Sequence, residues 1–226
     1  SCDMARIYDL SKEYGFKIIE DASHALGGRY KNEPIGKCRY SDMSVFSFHP
    51  VKMITSGEGG MVVTNDEVLL KKLQMFRSHG ITSNPNEKHQ RPEHEIWGYQ
   101  QLGLGFNYRM TDIHAALGVS QLKRLDNFVT RRRQIAKTYD QLLEGLPIIC
   151  PWQHEDSYSS YHLYLIKLAP SDDKKRHRRV FDALREKKIF VNLHYIPVYR
   201  HPHYEQLGFK QGHCPCAEEY FLGTLS

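Results

Sequence analysis

The sequence predicts an α/β fold built on a mainly parallel sheet, and three observations predict it. Apolar residues recur at helical spacing from Asp3 to Tyr14, stop at Gly15, and lead into a short apolar-rich strand at 16–20, which is the helix-to-strand unit of such sheets. Two further strand-like runs, 43–48 and 60–64, are separated by a lysine-bearing loop and the glycine-rich turn 57–60. A long helical repeat near 111–143 then divides this region from a smaller α+β one.

Each element has its own local cause. In the first helix Met4, Ile7, Leu10 and Tyr14 form one face. Gly15 is the expected C-terminal stop. The strand that follows delivers Asp21 at its carboxyl end, and ligands of open α/β sheets gather outside carboxyl ends. After the turn 57–60 and the strand 60–64, an amphipathic helix is expected over 68–79 and a long polar loop over 81–103. Ile113, Leu117, Leu122, Leu125, Val129, Ile135, Tyr139 and Leu142 then share one side of what reads as one long or bent helix ending at Gly145. Beyond Pro147 come a strand at 162–168, a helix at 172–187, a strand at 190–194 and a helix-like stretch at 216–222. No closing element follows them, so truncation at both ends is expected, with a domain boundary between residues 115 and 116.

Composition narrows the function classes. With 40% hydrophobic and 25% charged residues the chain is ordinary globular material, and a net charge of +5 is only mildly basic. The densest basic run, Lys174 to Arg179, follows Ser171, Asp172 and Asp173, which resemble a helix cap and acidic first turn. A solvated helix face explains it without nucleic acid. No apolar stretch is long enough to cross a membrane and no signal-peptide pattern opens the chain. Five cysteines, an odd number without framework spacing, fit a reducing cytoplasm.

Chemistry concentrates on few residues. Lysines are rarely interior, and one at a strand-to-loop junction is more often a surface residue than a catalytic one. Lys52 gains weight from Asp21, because two strand ends could then converge on one ring, the carboxylate on a pyridinium nitrogen and the lysine on an aldehyde. His201, His203, His213, Cys214 and Cys216 are metal-ligating types, but their spacing matches no common closed site and no metal is expected.

Four motifs make the chain recognisable: Glu-Asp-Ala-Ser-His-Ala (20–25), Phe-Ser-Phe-His-Pro-Val-Lys (46–52), Gly-Glu-Gly-Gly (57–60) and Gly-Phe-Asn-Tyr-Arg-Met (105–110). In this order they resemble the DegT/DnrJ/EryC1/StrS family of sugar aminotransferases. That resemblance implies the pyridoxal-phosphate-dependent transferase fold of type I, aspartate aminotransferase-like. The chain would hold the second half of its large cofactor-binding domain (1–115) and most of its small α+β domain (116–226). Carried over residue by residue, Lys52 is the imine-forming lysine, Asp21 the partner of the pyridine nitrogen, and His24 a neighbour of the cofactor ring. Ser47 matches a hydroxyl on the cofactor phosphate. Asn107 matches an asparagine that reaches the phosphate in the neighbouring subunit, implying a homodimer with shared active sites. Arg109, and more weakly His194 and Tyr195, match substrate contacts. Lysine at position 52 favours amino transfer, since related sugar dehydratases carry histidine there. Residues 77–81, 194–199 and 201–209 resemble the branch that transfers an amino group, from glutamate, to C4 of a UDP-4-keto-6-deoxy-N-acetylhexosamine for pseudaminic acid.

Each of these residues also has a purely structural explanation: a helix-start histidine for His24, a strand hydroxyl for Ser47, a turn residue for Asn107. Complete family members also begin earlier, with a phosphate-gripping helix start and a ring-stacking aromatic, so the isolated fragment is expected to hold cofactor poorly. A degenerate, non-catalytic relative serving as a regulatory or interaction protein is the competing reading.

Overall fold

The computed structural model describes residues 2–89, 98–173 and 175–226. Residues 90–97 of the expected long loop and Lys174 of the basic run lie outside the described residues. The chain forms two compact units, residues 1–131 with 154–162, and residues 132–153 with 163–226.

The first unit opens with helix α1, Met4–Tyr14. Asp3 caps it by accepting the Arg6 N–H at 3.3 Å, and Gly15 closes it in the left-handed conformation at φ 72°. Strand β1 follows at Ile19–Asp21. Two short strands, β2 at Arg29–Tyr30 and β3 at Glu33–Pro34, precede β4, Met43–Ser47, and β5, Gly60–Val63. The central sheet has the order β1–β4–β5, with β1 parallel to β4 and β5 antiparallel to it. Among the described residues it is therefore mixed, because the tight Gly57–Gly60 turn sends the chain back on itself. In β4 Ser44 and Phe46 are buried, and Phe46 joins Ala22, Phe48 and Ile54 in the core under Leu125 and Phe128.

Helix α2, Glu67–Arg77, starts at Asp66, whose carboxylate accepts the Val68 and Leu69 N–H groups at 2.7 and 3.0 Å. The expected loop after it contains a two-stranded sheet, β6 at Ile81–Thr82 against β7 at Gln100–Gln101. The long helical repeat is not one helix but two, α3 at Asp112–Leu122 and α4 at Leu125–Leu142. Between them Lys123 and Arg124 form a tight turn in which the Arg124 N–H reaches back three residues to Gln121 at 2.9 Å.

In the second unit β8 (Ile148–Ile149), β10 (Ile166–Leu168) and β11 (Thr224–Leu225) form an antiparallel sheet in the order β11–β10–β8. Strand β9, Ser157–Tyr158, belongs to the first unit and pairs with β2. Helix α5 spans Arg176–Glu186, and short helices α6 and α7 span Pro202–Gln206 and Pro215–Phe221. The acidic residues before α5 do not cap it through a side chain. Instead the Asp173 carboxylate accepts the Lys175 N–H at 3.0 Å and pairs with Arg179. The strand expected at 190–194 reduces to an isolated bridge between Leu193 and Leu225. Thr224 and Leu225, past the last expected element, are a strand and are 1% and 0% exposed.

Candidate active site

The parallel pairing of β1 with β4 sets Asp21 opposite Val45, so the ends of both strands face the same side of the sheet. Asp21 is exposed, but its Oδ1 accepts both the Ser23 N–H at 3.1 Å and the Ser23 hydroxyl at 2.6 Å. Those two bonds, the side-chain one foremost, hold its carboxyl below the usual carboxylate range, helped by the nearby charges of His24 and Lys52. Among the described residues nothing donates to Oδ2, which leaves one oxygen of an ionised carboxylate open.

Lys52 is half-buried in the turn after β4, its N–H bonded to the His49 carbonyl at 2.9 Å. The turn is braced from behind. Met53, Ile54 and Ser56 are buried, the Thr55 hydroxyl donates to the Phe48 carbonyl at 3.0 Å, and the Ser56 hydroxyl donates to the Glu58 carbonyl at 2.6 Å. Gly60 is required here, since a Cβ would lie 2.7 Å from the Phe46 carbonyl oxygen across the ladder. Ser47 ends β4, and its hydroxyl oxygen accepts the His49 N–H at 3.4 Å.

Asn107 and Arg109 sit on a second, separately anchored segment. The Phe106 N–H bonds the Phe76 carbonyl at 2.6 Å, the Tyr108 N–H bonds the Arg77 carbonyl at 3.0 Å, and Asn107 bridges Ser78. Both side chains are exposed. No hydrogen bond joins either one to Asp21 or Lys52 among the described residues. An apolar cavity of about 610 Å³, lined in part by Phe46, Met61, Phe76, Phe106 and Tyr108, adjoins this segment; neither Asp21 nor Lys52 lines it.

His194 and Tyr195 belong to the second unit, with ring centroids 4.6 Å apart. The His194 Nδ1 is buried without a hydrogen-bond partner among the described residues, and burial pushes this imidazole's pKa down. Among the described residues no cluster of three or more His, Cys, Asp or Glu side chains is arranged to hold a metal. His213 instead meets Tyr199 and Phe209 edge to face at 5.5 and 5.1 Å. None of the five cysteines forms a disulfide among the described residues.

Two features escaped the sequence. Ser23, which orients Asp21, was legible in principle, because a hydroxyl two residues after an aspartate is a turn signal. His162, whose ring lies 4.3 Å from that of His24, carried no such signal, being far away in the chain.

Asp21 ends β1 and Lys52 lies in the turn that follows the neighbouring β4, near enough for the lysine's charge to act on the carboxylate, and the solved structures this α/β chain resembles are sugar aminotransferases of the type I pyridoxal-phosphate fold. The chain belongs to the DegT/DnrJ/EryC1/StrS aminotransferase family, whose model matches residues 1–226. It is 40% identical over 208 residues to a UDP-4-amino-4,6-dideoxy-N-acetyl-beta-L-altrosamine transaminase of Campylobacter jejuni, covering 92% of this chain and 52% of that one. Helicobacter pylori PseC, an aminotransferase of pseudaminic acid biosynthesis, superposes with a TM-score of 0.88 at 32% identity, covering all of this chain and 57% of that one. Spr1654 of Streptococcus pneumoniae in its PLP form gives 0.85 at 29% identity, covering all of this chain and 59% of that one. The chain thus spans about half the length of the curated relatives it matches.

The residues present fit the cofactor these relatives imply. Asp21 has an open carboxylate oxygen that would suit a ring nitrogen, half-buried Lys52 an amine that would suit an aldehyde, and Ser47 a hydroxyl at the strand end that would suit a phosphate.

Proposed function

We propose that this chain carries the lysine and carboxylate centre of a pyridoxal-phosphate-dependent nucleotide-sugar aminotransferase. It would transfer an amino group, from glutamate, to C4 of a UDP-4-keto-6-deoxy-N-acetylhexosamine. The observation that supports this reading is that Asp21, held ionised by Ser23, ends the strand beside the one whose following turn carries Lys52, near enough for the lysine's charge to act on the carboxylate.

Pyridoxal phosphate, when bound, supplies an aldehyde that takes up amines and a ring that accepts electrons from a neighbouring carbon. The protein's residues do the rest. Asp21, through its open oxygen, keeps a proton on the ring nitrogen, which only an ionised carboxylate can do. Lys52 would hold the aldehyde through its Nζ and, when free of it, would be the base that carries a proton to and from substrate C4. Ser47 and His24 orient phosphate and ring, and Arg109, with His194 and Tyr195, contacts the nucleotide-sugar. Asn107, exposed among the exposed apolar side chains of Leu104, Phe106 and Tyr108, serves a second copy of the protein, so the active unit is a homodimer with shared sites. Free cysteines and a nucleotide-sugar substrate suit the cytoplasm. No helix among the described residues is long and apolar enough to cross a membrane.

The test uses the full-length protein with pyridoxal phosphate, reduced with borohydride and mapped by peptide mass. An adduct on Lys52, with glutamate-dependent appearance of the 4-amino sugar, is expected. A folded full-length protein with no adduct on Lys52 overturns the proposal and favours the non-catalytic reading.

A further inference from the structure

We propose that His162 is a positioning residue for His24: the segment 154–162, which leaves the small unit to rejoin the first, presses the His162 ring against that of His24 and so fixes its place beside Asp21. This rests on the proposed function in one respect, that His24 faces the cofactor.

Three independent contacts hold the segment to the strip that follows Asp21. The ring centroids of His24 and His162 lie 4.3 Å apart with planes inclined at 49°, within contact range for two aromatic faces. Ser160 is 2% exposed, and its hydroxyl donates to the His24 carbonyl at 3.4 Å, which fixes the backbone from which the imidazole projects. Strand β9 pairs with β2 through Arg29–Tyr158 and Tyr30–Ser157, and the Lys31 N–H donates to the Asp156 carbonyl at 2.8 Å.

The local backbone turns for this contact. The strand expected over 162–168 begins only at Ile166, and just ahead of His162 the backbone takes a left-handed conformation at Tyr161, φ 49°, which ends the excursion and delivers His162 to His24. Gly28 leaves room for the returning segment, since a Cβ there would come within 3.3 Å of the Tyr158 carbonyl oxygen and 2.9 Å of the Ala25 one. His24 itself is exposed, and its charge acts on Asp21. An exposed imidazole on a turn samples several rotamers, and a ring packed against it removes that freedom in advance of binding. His162 therefore acts through His24 and does not touch the reacting atoms.

The experiment compares His162→Ala and His162→Phe in the full-length protein, alone and with His24→Ala. In cofactor-free protein with ¹³C-labelled histidine, the His24 ring resonance, assigned by its loss in His24→Ala, is expected to move on His162→Ala. It should stay near its original position in His162→Phe, which keeps an aromatic face. With cofactor, His162→Ala is expected to keep the Lys52 adduct while kcat falls about tenfold, and His162→Phe to recover most of that loss. In the His24→Ala background His162→Ala should cost nothing more, because its effect runs through the missing ring. An unmoved His24 resonance, or an equal loss with and without His24, overturns the proposal. A wild-type protein that forms no Lys52 adduct overturns both this inference and the functional reading, whereas an adduct with an unmoved resonance overturns this inference alone.

Discussion

Two pieces of the candidate site are held in opposite ways. At the Asp21–His24 turn the functional side chain is itself tied, Oδ1 taking two bonds from Ser23 while His24 is gripped by ring and carbonyl. At the Phe106–Met110 segment the backbone is tied, to Phe76, Arg77 and His79, while Asn107 and Arg109 stand exposed. The first arrangement sets protonation and orientation within one chain. The second fixes a platform and leaves its side chains for whatever approaches.

The platform should break first. Gly105 lies so close to the turn at Gly80 that a Cβ would sit 2.3 Å from the Gly80 nitrogen, a backbone atom that no rotamer change can relieve. Gly105→Ala is expected to cost roughly 3 kcal/mol, read from denaturant midpoints at unchanged slope. Asn107→Ala tests the other half of the comparison. Stability should stay within about 0.5 kcal/mol, as for an exposed surface side chain, while amino transfer by the full-length protein falls about a hundredfold, a loss typical of removing a site-positioning contact. Mixing Asn107→Ala with Lys52→Ala subunits should then restore part of the activity if sites are shared across a homodimer; no restoration would confine the site to one chain.

Ser23→Ala sharpens the tied turn. Losing the hydroxyl bond to Asp21, the stronger of the two influences, should raise its titration midpoint part of the way toward the ordinary value near 3.8 while the backbone N–H bond stays, as followed by carboxyl ¹³C shifts. Since the folded carboxyl now titrates below its unfolded value, its contribution to stability is present above pH ~4 and fades as pH drops through the folded pKa. Ser23→Ala should flatten that acid dependence. The smallest effect is expected at His194. Burial holds its folded pKa below 6.5, so the unfolded chain binds the extra proton first and stability declines as pH falls from about 6.5 toward the folded value. His194→Gln should remove that slope in a pH series of thermal midpoints.

How much was legible follows from where each signal lives. Helix α1 was readable because Asp3, the apolar spacing and Gly15 all act within a few residues. Lys52 and Asp21 were readable because a strand end is a local event, and parallel pairing does the rest. The long repeat at 111–143 hid its break because Lys123 and Arg124 keep the apolar period while the hydrogen bonding tightens for one turn. At 190–194 a strand was expected, yet the stretch forms only a bridge from Leu193 to Leu225, beside the two backbone bonds that Asn192 exchanges with Ser226, partners that no local signal identifies. His162 was read as strand for the same reason: its contact with His24 is decided by a left-handed residue and a ring from the distant end of the unit.

The crossing of Gly80 with the Gly103–Gly105 stretch works as a clasp. A Cβ on Gly80 would fall 2.0 Å from the Gly103 carbonyl oxygen, and the Leu102 N–H bonds the Gly80 carbonyl at 2.8 Å, so the chain leaves and returns through one pinch. Both stretches of the crossing are thereby clasped backbone to backbone, and because the Phe106 and Tyr108 N–H groups are tied to Phe76 and Arg77 just beyond it, the Asn107 platform is anchored at the clasp itself.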